Sequence, residues 1–128
     1  MATMSVRVDD WLKAEIEEFW RTHGQGPSSG LRHVAQEWWA MQHFPAIVFR
    51  DGVSGRRAAL REGPDVWEVV AVARDYGKDV EGFREHFAPF VPADHLDQAL
   101  AYAERFPDAV DAMIEQNERV ERMLATGK

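Results

Sequence analysis

Residues 3–20 read TMSVRVDDWLKAEIEEFW, and this stretch decides the fold of the amino-terminal part of the chain. Residues 3–8 alternate between polar and apolar side chains, which is the period-two pattern of a β-strand. Asp9 follows where a helix N-cap is expected, and from Leu12 onward apolar residues recur at helical spacing. The pattern therefore predicts one short strand that leads directly into an amphipathic helix.

The next segment ends this helix and precedes another. Residues 23–30 read HGQGPSSG, and their three glycines and one proline predict a break. A second apolar stripe begins at Leu31 and ends before Pro45, because a residue that precedes proline avoids helical backbone angles. The amino-terminal part is thus expected to run strand, helix, glycine-rich turn, helix.

The predicted strand has no partner strand nearby in the sequence. An unpaired strand leaves its backbone N–H and C=O groups unsatisfied, and a short segment cannot bury many indoles alone. A second copy of the chain would supply both the partner strand and the missing core, so we expect a homodimer. Four of the five tryptophans precede residue 40, namely Trp11, Trp20, Trp38 and Trp39.

Residues 3–42 resemble the ribbon-helix-helix family of DNA-binding proteins, in which two chains form a two-stranded ribbon that enters the major groove. The resemblance implies a swapped dimer whose outward strand residues read base edges, and Arg7 suits this role because a guanidinium binds guanine in a bidentate manner. The alternative is that residues 3–8 join the sheet of the hairpin predicted below and that their polar side chains face water. The implied outward residues are Thr3, Ser5 and Arg7, and the implied buried ones are Met4, Val6 and Val8.

The same resemblance implies a phosphate contact at the start of the second helix, where family members bind the DNA backbone through main-chain amides. The corresponding residues are Ser28, Ser29 and Gly30, which follow Pro27. Free N–H groups and the helix dipole favour an anion at such a position. We therefore expect these three residues to contact DNA.

The rest of the chain predicts a small hairpin followed by four helices. Residues 46–60, AIVFRDGVSGRRAAL, form two strand-like runs around a Gly/Ser turn. The helices are expected over roughly 65–76, 79–87, 93–106 and 108–124, and the second and third of them resemble a helix-turn-helix. Asp65, Asp79 and Asp94 lie where N-caps are expected.

This half resembles the small antitoxin domain of VapB type, on the motifs DVWEVV, ALAY and DAMIEQN together with the IVF strand and the glycine-arginine turn. The resemblance implies a helical bundle with a leading hairpin, and a cognate PIN-like ribonuclease toxin as partner. The expected fold is therefore mainly α, with a ribbon-helix-helix domain over 1–43 and a helix-turn-helix-like antitoxin domain over 44–128. The third helix of this domain carries Asp94, Asp97 and Glu104 against the single basic residue Arg105, so we expect it to be a poor reader of DNA.

Two segments of this domain are candidate partner-binding surfaces. The basic hairpin could contact phosphate or an acidic pocket of a partner, or it could simply be solvated. The amphipathic tail could occupy a groove on a toxin, or it could close its own domain. The candidate residues are Arg56, Arg57 and Arg61 in the hairpin, and Met113 and Ile114 in the tail.

Composition and charge further limit the classes of function that the chain could have. The net charge is −7, with five Lys/Arg against six Asp/Glu in residues 1–50 but six against eleven in residues 76–128, so a DNA-binding surface is expected early in the chain. The chain has no cysteine, no apolar run long enough to span a bilayer and no signal-peptide pattern, which favours a cytoplasmic protein. The histidines and serines lack the spacing of metal or nucleophile sites, so we expect no enzyme, metal or cofactor.

Together these features predict an antitoxin that represses its own transcription and neutralises a PIN-like ribonuclease toxin. Two alternatives stay open. One is a stand-alone dimeric transcriptional regulator without a toxin, and the other is a protein-interaction module whose strand only dimerises.

Overall fold

The computed structural model describes residues 1–52 and 55–127. It confirms that the chain is mainly helical with one small antiparallel hairpin, and the order of helices and hairpin is as expected. The elements are α1 (Asp10–Thr22), α2 (Pro27–His43), β1 (Ile47–Arg50), β2 (Arg57–Leu60), α3 (Val66–Tyr76), α4 (Val80–Phe87), α5 (Ala93–Arg105) and α6 (Pro107–Thr126).

The chain divides into two compact units, residues 1–38 and 39–128. The division falls inside α2, whereas the sequence places a domain boundary after residue 43. The contacts of Trp39 explain why the boundary lies before residue 43, because this indole stacks on His43 and makes edge contacts with the rings of Phe44 and Phe106. Trp39 therefore packs in the second unit, and only three of the four early tryptophans belong to the first.

In the first unit, local backbone chemistry sets the turn between the two helices. Gly24 adopts φ 72°, a left-handed conformation that glycine reaches without steric cost. The N–H of Gln25 donates to the carbonyl of Trp20 at 2.8 Å, which closes α1 with a Schellman-type bond. Helix α2 begins at Pro27, whose fixed φ suits the first helical position, so residues 27–30 form the start of the second helix, as the family resemblance implies, and the break is shorter than the glycines of residues 23–30 indicate.

The two helices of this unit approach each other closely at Gly30. A Cβ atom added to Gly30 would lie 2.6 Å from Cγ of Trp20 and nearer still to two other indole atoms. Gly30 is buried, and Trp20 is the large side chain of this unit that is most buried, at 9% exposure. The absence of a side chain at Gly30 thus gives the indole its place.

The second unit is built around the hairpin and α3. The strands pair antiparallel in the register Ile47 with Leu60 through Arg50 with Arg57, and the predicted turn residues Val53 and Ser54 lie outside the described residues. Helix α3 contacts β2 and the three helices that follow it. The fully buried side chains of this core include Ile47, Leu60, Val66, Val69 and Leu96.

The helix caps of the second unit agree only in part with the sequence. The Asp79 carboxylate accepts from the N–H of Gly82 at 3.0 Å, which confirms that cap. Asp65 occupies the N-cap position of α3, but its side chain makes no capping bond. The Asp94 cap is wrong, because α5 begins at Ala93 with Pro92 at the cap position.

Candidate nucleic-acid and partner interfaces

The amino-terminal arm, residues 1–9, forms neither helix nor strand in the single chain, and all of these residues are exposed. The predicted polar face and the predicted apolar face are therefore equally open to solvent. Met4 is 90% exposed and Val6 is 71% exposed. The sheet of the described residues consists of β1 and β2, so the arm is not part of it.

Apart from the buried Trp20, the helix pair of the first unit leaves several large apolar side chains exposed to solvent. Leu31, Val34 and Trp38 recur at intervals of three and four residues and so lie on one face of α2. Monomeric soluble proteins rarely expose extended apolar surface of this kind. We call the following residues the exposed apolar set, each between 45% and 66% exposed: Trp11, Phe19, Leu31, Val34 and Trp38.

The first turn of α2 contains the three residues expected to bind phosphate. The Gly30 N–H already donates to the carbonyl of Gly26 at 2.9 Å, so its amide is engaged within the helix. The amides of Ser28 and Ser29 precede this first intrahelical bond and have no acceptor in the helix. Ser28 is exposed and Ser29 is half-buried. Two of the three expected amides therefore have no acceptor within the helix, and Gly30 instead serves the packing of Trp20.

The three arginines of the basic hairpin differ in their surroundings. Arg56 pairs with Asp51 at 3.2 Å on the surface. Arg57 is half-buried and forms an ion pair with Asp65. Arg61 is exposed and donates to the carbonyl of Pro45 at 3.4 Å. The guanidinium of Arg57 is thus used inside the domain, and it is a weaker candidate for a partner than the pattern of basic residues indicates.

Asp65 is the centre of a buried polar cluster that sequence reasoning assigned only to a helix cap. Its carboxylate accepts from Arg57 Nε and, at 3.1 Å, from Trp67 Nε1, which ties β2 to the start of α3. Burial raises the pKa of the Glu68 carboxyl above its ordinary value, and the negative charge of Asp65 raises it further. No pattern in the sequence marks this pair, because Arg57 and Asp65 are eight residues apart and meet only when β2 packs against the start of α3.

Helix α5 presents an acidic surface, as the sequence indicates. Asp94, Asp97 and Glu104 are exposed. The one arginine of this helix, Arg105, lies 5.4 Å from the centroid of the Trp39 ring in a cation–π arrangement. Its charge is therefore directed at an aromatic ring of its own unit.

An open groove of about 650 Å³ lies between α3, α5 and the start of α6. Its lining combines apolar side chains with charged side chains of both signs: Val70, Arg74, Asp97, Leu100, Ala101, Ala103, Glu104 and Pro107.

The two halves of helix α6 differ in how far they are buried. Val110 is buried and Ile114 packs against the core, so the first half closes its own domain. Met113 is half-buried. In the second half, Val120, Met123 and Leu124 are between 47% and 71% exposed. Of the two expected tail residues, Ile114 is therefore largely structural.

A scan against protein-family models and searches of curated proteins and of solved structures return no match to this chain. Both family resemblances thus remain predictions drawn from sequence motifs. In the described part of the chain, each helix is too short or too polar to cross a bilayer. The described residues bring together no group of three or more histidines and carboxylates that could hold a metal ion.

Proposed function

We propose that this protein is a dimeric DNA-binding antitoxin, which represses transcription through its amino-terminal arm and holds a PIN-like ribonuclease toxin with its acidic carboxyl-terminal half. The observation that carries the proposal is the state of the first unit. Its arm has no strand partner among the described residues, and its exposed apolar set lies in water.

Pairing with a second copy would give the arm a strand partner and would cover the exposed apolar set. Two arms can pair antiparallel and satisfy their backbone groups, and two helix pairs can bury their exposed apolar sets against each other. Burial of a large apolar side chain contributes about 1.5–3 kcal/mol, so five such side chains per copy supply a strong driving force for association. A ribbon made in this way has the dimensions that enter the DNA major groove.

Arg7 is the residue of the arm best suited to read a base. It is exposed, and its planar guanidinium can donate two hydrogen bonds to guanine O6 and N7. Thr3 and Ser5 lie on the same side of an extended strand as Arg7, because alternate residues share a face. The amides of Ser28 and Ser29, which have no acceptor within the helix, supply a backbone contact that fixes the register on DNA.

Replacement of Arg7 tests the DNA-binding part of the proposal. Arg7→Ala should weaken binding to DNA from upstream of the protein's own gene by about 1–3 kcal/mol and relax discrimination at one base position, while the dimer stays intact. Fluorescence anisotropy at fixed salt measures the affinity, and light scattering measures the mass.

Lys13→Ala is the matched control for this change. It removes the same charge close to the arm, but Lys13 is paired with Glu17 at 2.7 Å on α1. Equal losses for the two variants, or no loss for Arg7→Ala, would exclude Arg7 as a reader. A pure interaction module would show no steep fall of DNA affinity with salt, since that slope arises from phosphate contacts.

The toxin-binding part is tested by copurification from the native operon, with mass measurement in the presence and absence of upstream DNA. We expect a complex with a small PIN-like nuclease whose ribonuclease activity is inhibited in the complex. A DNA-binding dimer that copurifies with no such nuclease would instead support a stand-alone regulator. The exposed acidic residues of α5 and the exposed apolar residues in the second half of α6 support a docking role for this half.

A further inference from the structure

The two outer edges of the hairpin differ in how they are covered. On the β2 side, the N–H of Leu60 donates to the carbonyl of Pro64 at 2.9 Å and Ala59 forms a bridge with Asp65, so the chain after β2 occupies that edge. Helices α3 and α5 also pack against β2. In the described part of the chain, no strand or bridge pairs with the opposite edge, which belongs to β1. We call this outer edge of β1, over residues 47–51, the open edge.

The hydrogen bonds of the hairpin show which backbone groups of β1 point outward. Gly52 and Gly55 exchange both of their backbone bonds, at 3.0 and 2.9 Å. Bonded pairs of this kind alternate with unbonded pairs along an antiparallel ladder, so every second residue of β1 directs its N–H and C=O at β2. The residues whose groups point away from β2 are Ile47, Phe49 and Asp51.

The outward groups are unpaired, with one exception. The N–H of Ile47 donates to the carbonyl of Phe44 at 2.8 Å. Residues 1–52 and 55–127 offer no hydrogen-bond partner to the C=O of Ile47, to either backbone group of Phe49 or to the N–H of Asp51. Such a row is a template for a further strand, because another extended backbone supplies the matching donors and acceptors.

These four groups are complementary to themselves under a two-fold axis that passes beside Phe49. When two copies of the open edge pair antiparallel about this axis, Phe49 lies opposite Phe49 and the two residues exchange both bonds. The same register brings the N–H of Asp51 to the C=O of Ile47 on each side of the axis. All four free groups of each copy are then paired, and the engaged N–H of Ile47 is not required.

The side chains of the open edge agree with this register. The central pair is aromatic, which is a favourable combination across neighbouring strands. Val48 lies opposite Arg50 and Ile47 lies opposite Asp51, so no two like charges face each other. The guanidinium of Arg50 also donates to two carbonyls at and after the end of β2, at 3.1 and 3.3 Å, which holds its charge on the far side of the hairpin.

We infer that two copies of this chain pair their β1 strands antiparallel about Phe49, and that the two hairpins form one four-stranded sheet. Such a sheet is more stable than a two-stranded hairpin, which is marginal by itself. The contact lies in the second unit of the chain. It is therefore separate from the pairing proposed for the arm and for the exposed apolar set, and it does not depend on that pairing.

Nuclear magnetic resonance on the full chain tests the register directly. In a mixture of isotope-labelled and unlabelled chains, a filtered NOE experiment reports only contacts between copies. Val48 and Arg50 of different copies should form an unbonded pair with Cα atoms about 4.5 Å apart, so their Hα protons should give a strong intermolecular NOE. Absence of this NOE would overturn the inference. A Phe49 amide that exchanges freely in the chain alone and is protected only by a copurified protein would also overturn it, and would assign the open edge to that protein.

Two variants at one position test the hydrogen bonds. Asp51→Pro removes an outward N–H and leaves the ladder of the hairpin intact, because proline is tolerated where the N–H of an edge strand points away from its neighbour. Asp51→Ala is the matched control, since both variants lose the surface pair with Arg56 but alanine keeps the N–H.

The association constant of the edge contact, obtained from the dependence of the intermolecular NOE on protein concentration, should be at least about tenfold lower in Asp51→Pro than in Asp51→Ala. Equal constants would overturn the inference. A chain that forms the edge contact but does not bind DNA would instead refute the proposed function alone.

Discussion

The packing of Trp20 on Gly30 allows one prediction to be worked out in detail. In Gly30→Ala, the new methyl group would lie 2.6 Å or less from three indole atoms, where ordinary contact requires about 3.4 Å or more. Trp20 cannot yield at low cost, because the affected atoms belong to its rigid ring and the ring is buried at 9% exposure. The indole or α2 must move by about 1 Å.

Two opposing effects determine the size of the change. Overpacking of a fitted contact costs about 1–3 kcal/mol, and this contact lies toward the upper end because the clash involves the ring itself. Alanine in a helix is more favourable than glycine by about 1 kcal/mol, which offsets part of the cost. The net expectation is a loss of about 1–2 kcal/mol in the stability of the first unit.

Hydrogen exchange read by mass spectrometry measures this loss locally. Amides of α1 and α2 should exchange about 5- to 30-fold faster in Gly30→Ala, while peptides from α3 to α6 should keep their rates as an internal control. In a Trp20→Leu background the same substitution should be neutral or mildly protective, because only the helix-propensity gain remains. Unchanged exchange in Gly30→Ala, or an equal loss in both backgrounds, would refute the close-packing role and leave Gly30 as a residue that contributes only its amide.

Two further predictions concern the buried Asp65 and its exposed neighbour Glu68. Asp65→Ala removes the partner of the half-buried Arg57 and the acceptor of Trp67, so it should lower the free energy of unfolding, measured in urea, by about 2–4 kcal/mol. Asp51→Ala breaks a surface pair and should lower it by less than about 1 kcal/mol. Equal losses for the two variants would contradict a structural role of Asp65. Because the pKa of Glu68 is raised in the folded state, its carboxyl ionises in the unfolded chain first as the pH rises through the ordinary value of 4.5. Glu68 therefore lowers the free energy of unfolding as the pH rises, until the pH exceeds its folded-state pKa. Glu68→Gln should therefore raise the melting temperature at pH 7 relative to wild type but not at pH 3, and a difference of the same size at both pH values would exclude this origin.

Much of the local architecture could be predicted because its causes are local. Asp79 caps α4 with a residue three positions away, and Gly24 and Pro27 carry in their own covalent structure the backbone angles that end one helix and begin the next. The hairpin strands and the order of helices likewise follow from periodicity and from the positions of glycine and proline. The same local rules failed at Asp94, because the sequence marks a helix start only to within a residue or two.

The sequence could predict which segments contain the candidate residues, but not which contacts each of these residues makes. The alternation of residues 3–8 is visible in the sequence, and the structure leaves the arm exposed and unpaired with any strand in the part of the chain that it describes. The sequence could not distinguish Gly30, which packs against Trp20, from Ser28 and Ser29, whose amides have no acceptor within the helix. The sequence also indicated the same role for Arg57 as for Arg56 and Arg61, although Arg57 forms an ion pair with Asp65.

By itself, then, the sequence predicted the mainly helical class of fold and the order of the hairpin and the helices, whereas the strand that it predicts over residues 3–8 is not formed in the single chain. Only the tertiary structure decided which of two adjacent tryptophans enters a core, which arginine is held by Asp65, and which glycine makes room for an indole. The physical reason is that periodicity assigns a residue to a face of its own element, whereas its partner on that face comes from a different part of the chain. Contacts of that kind exist only once the elements have packed.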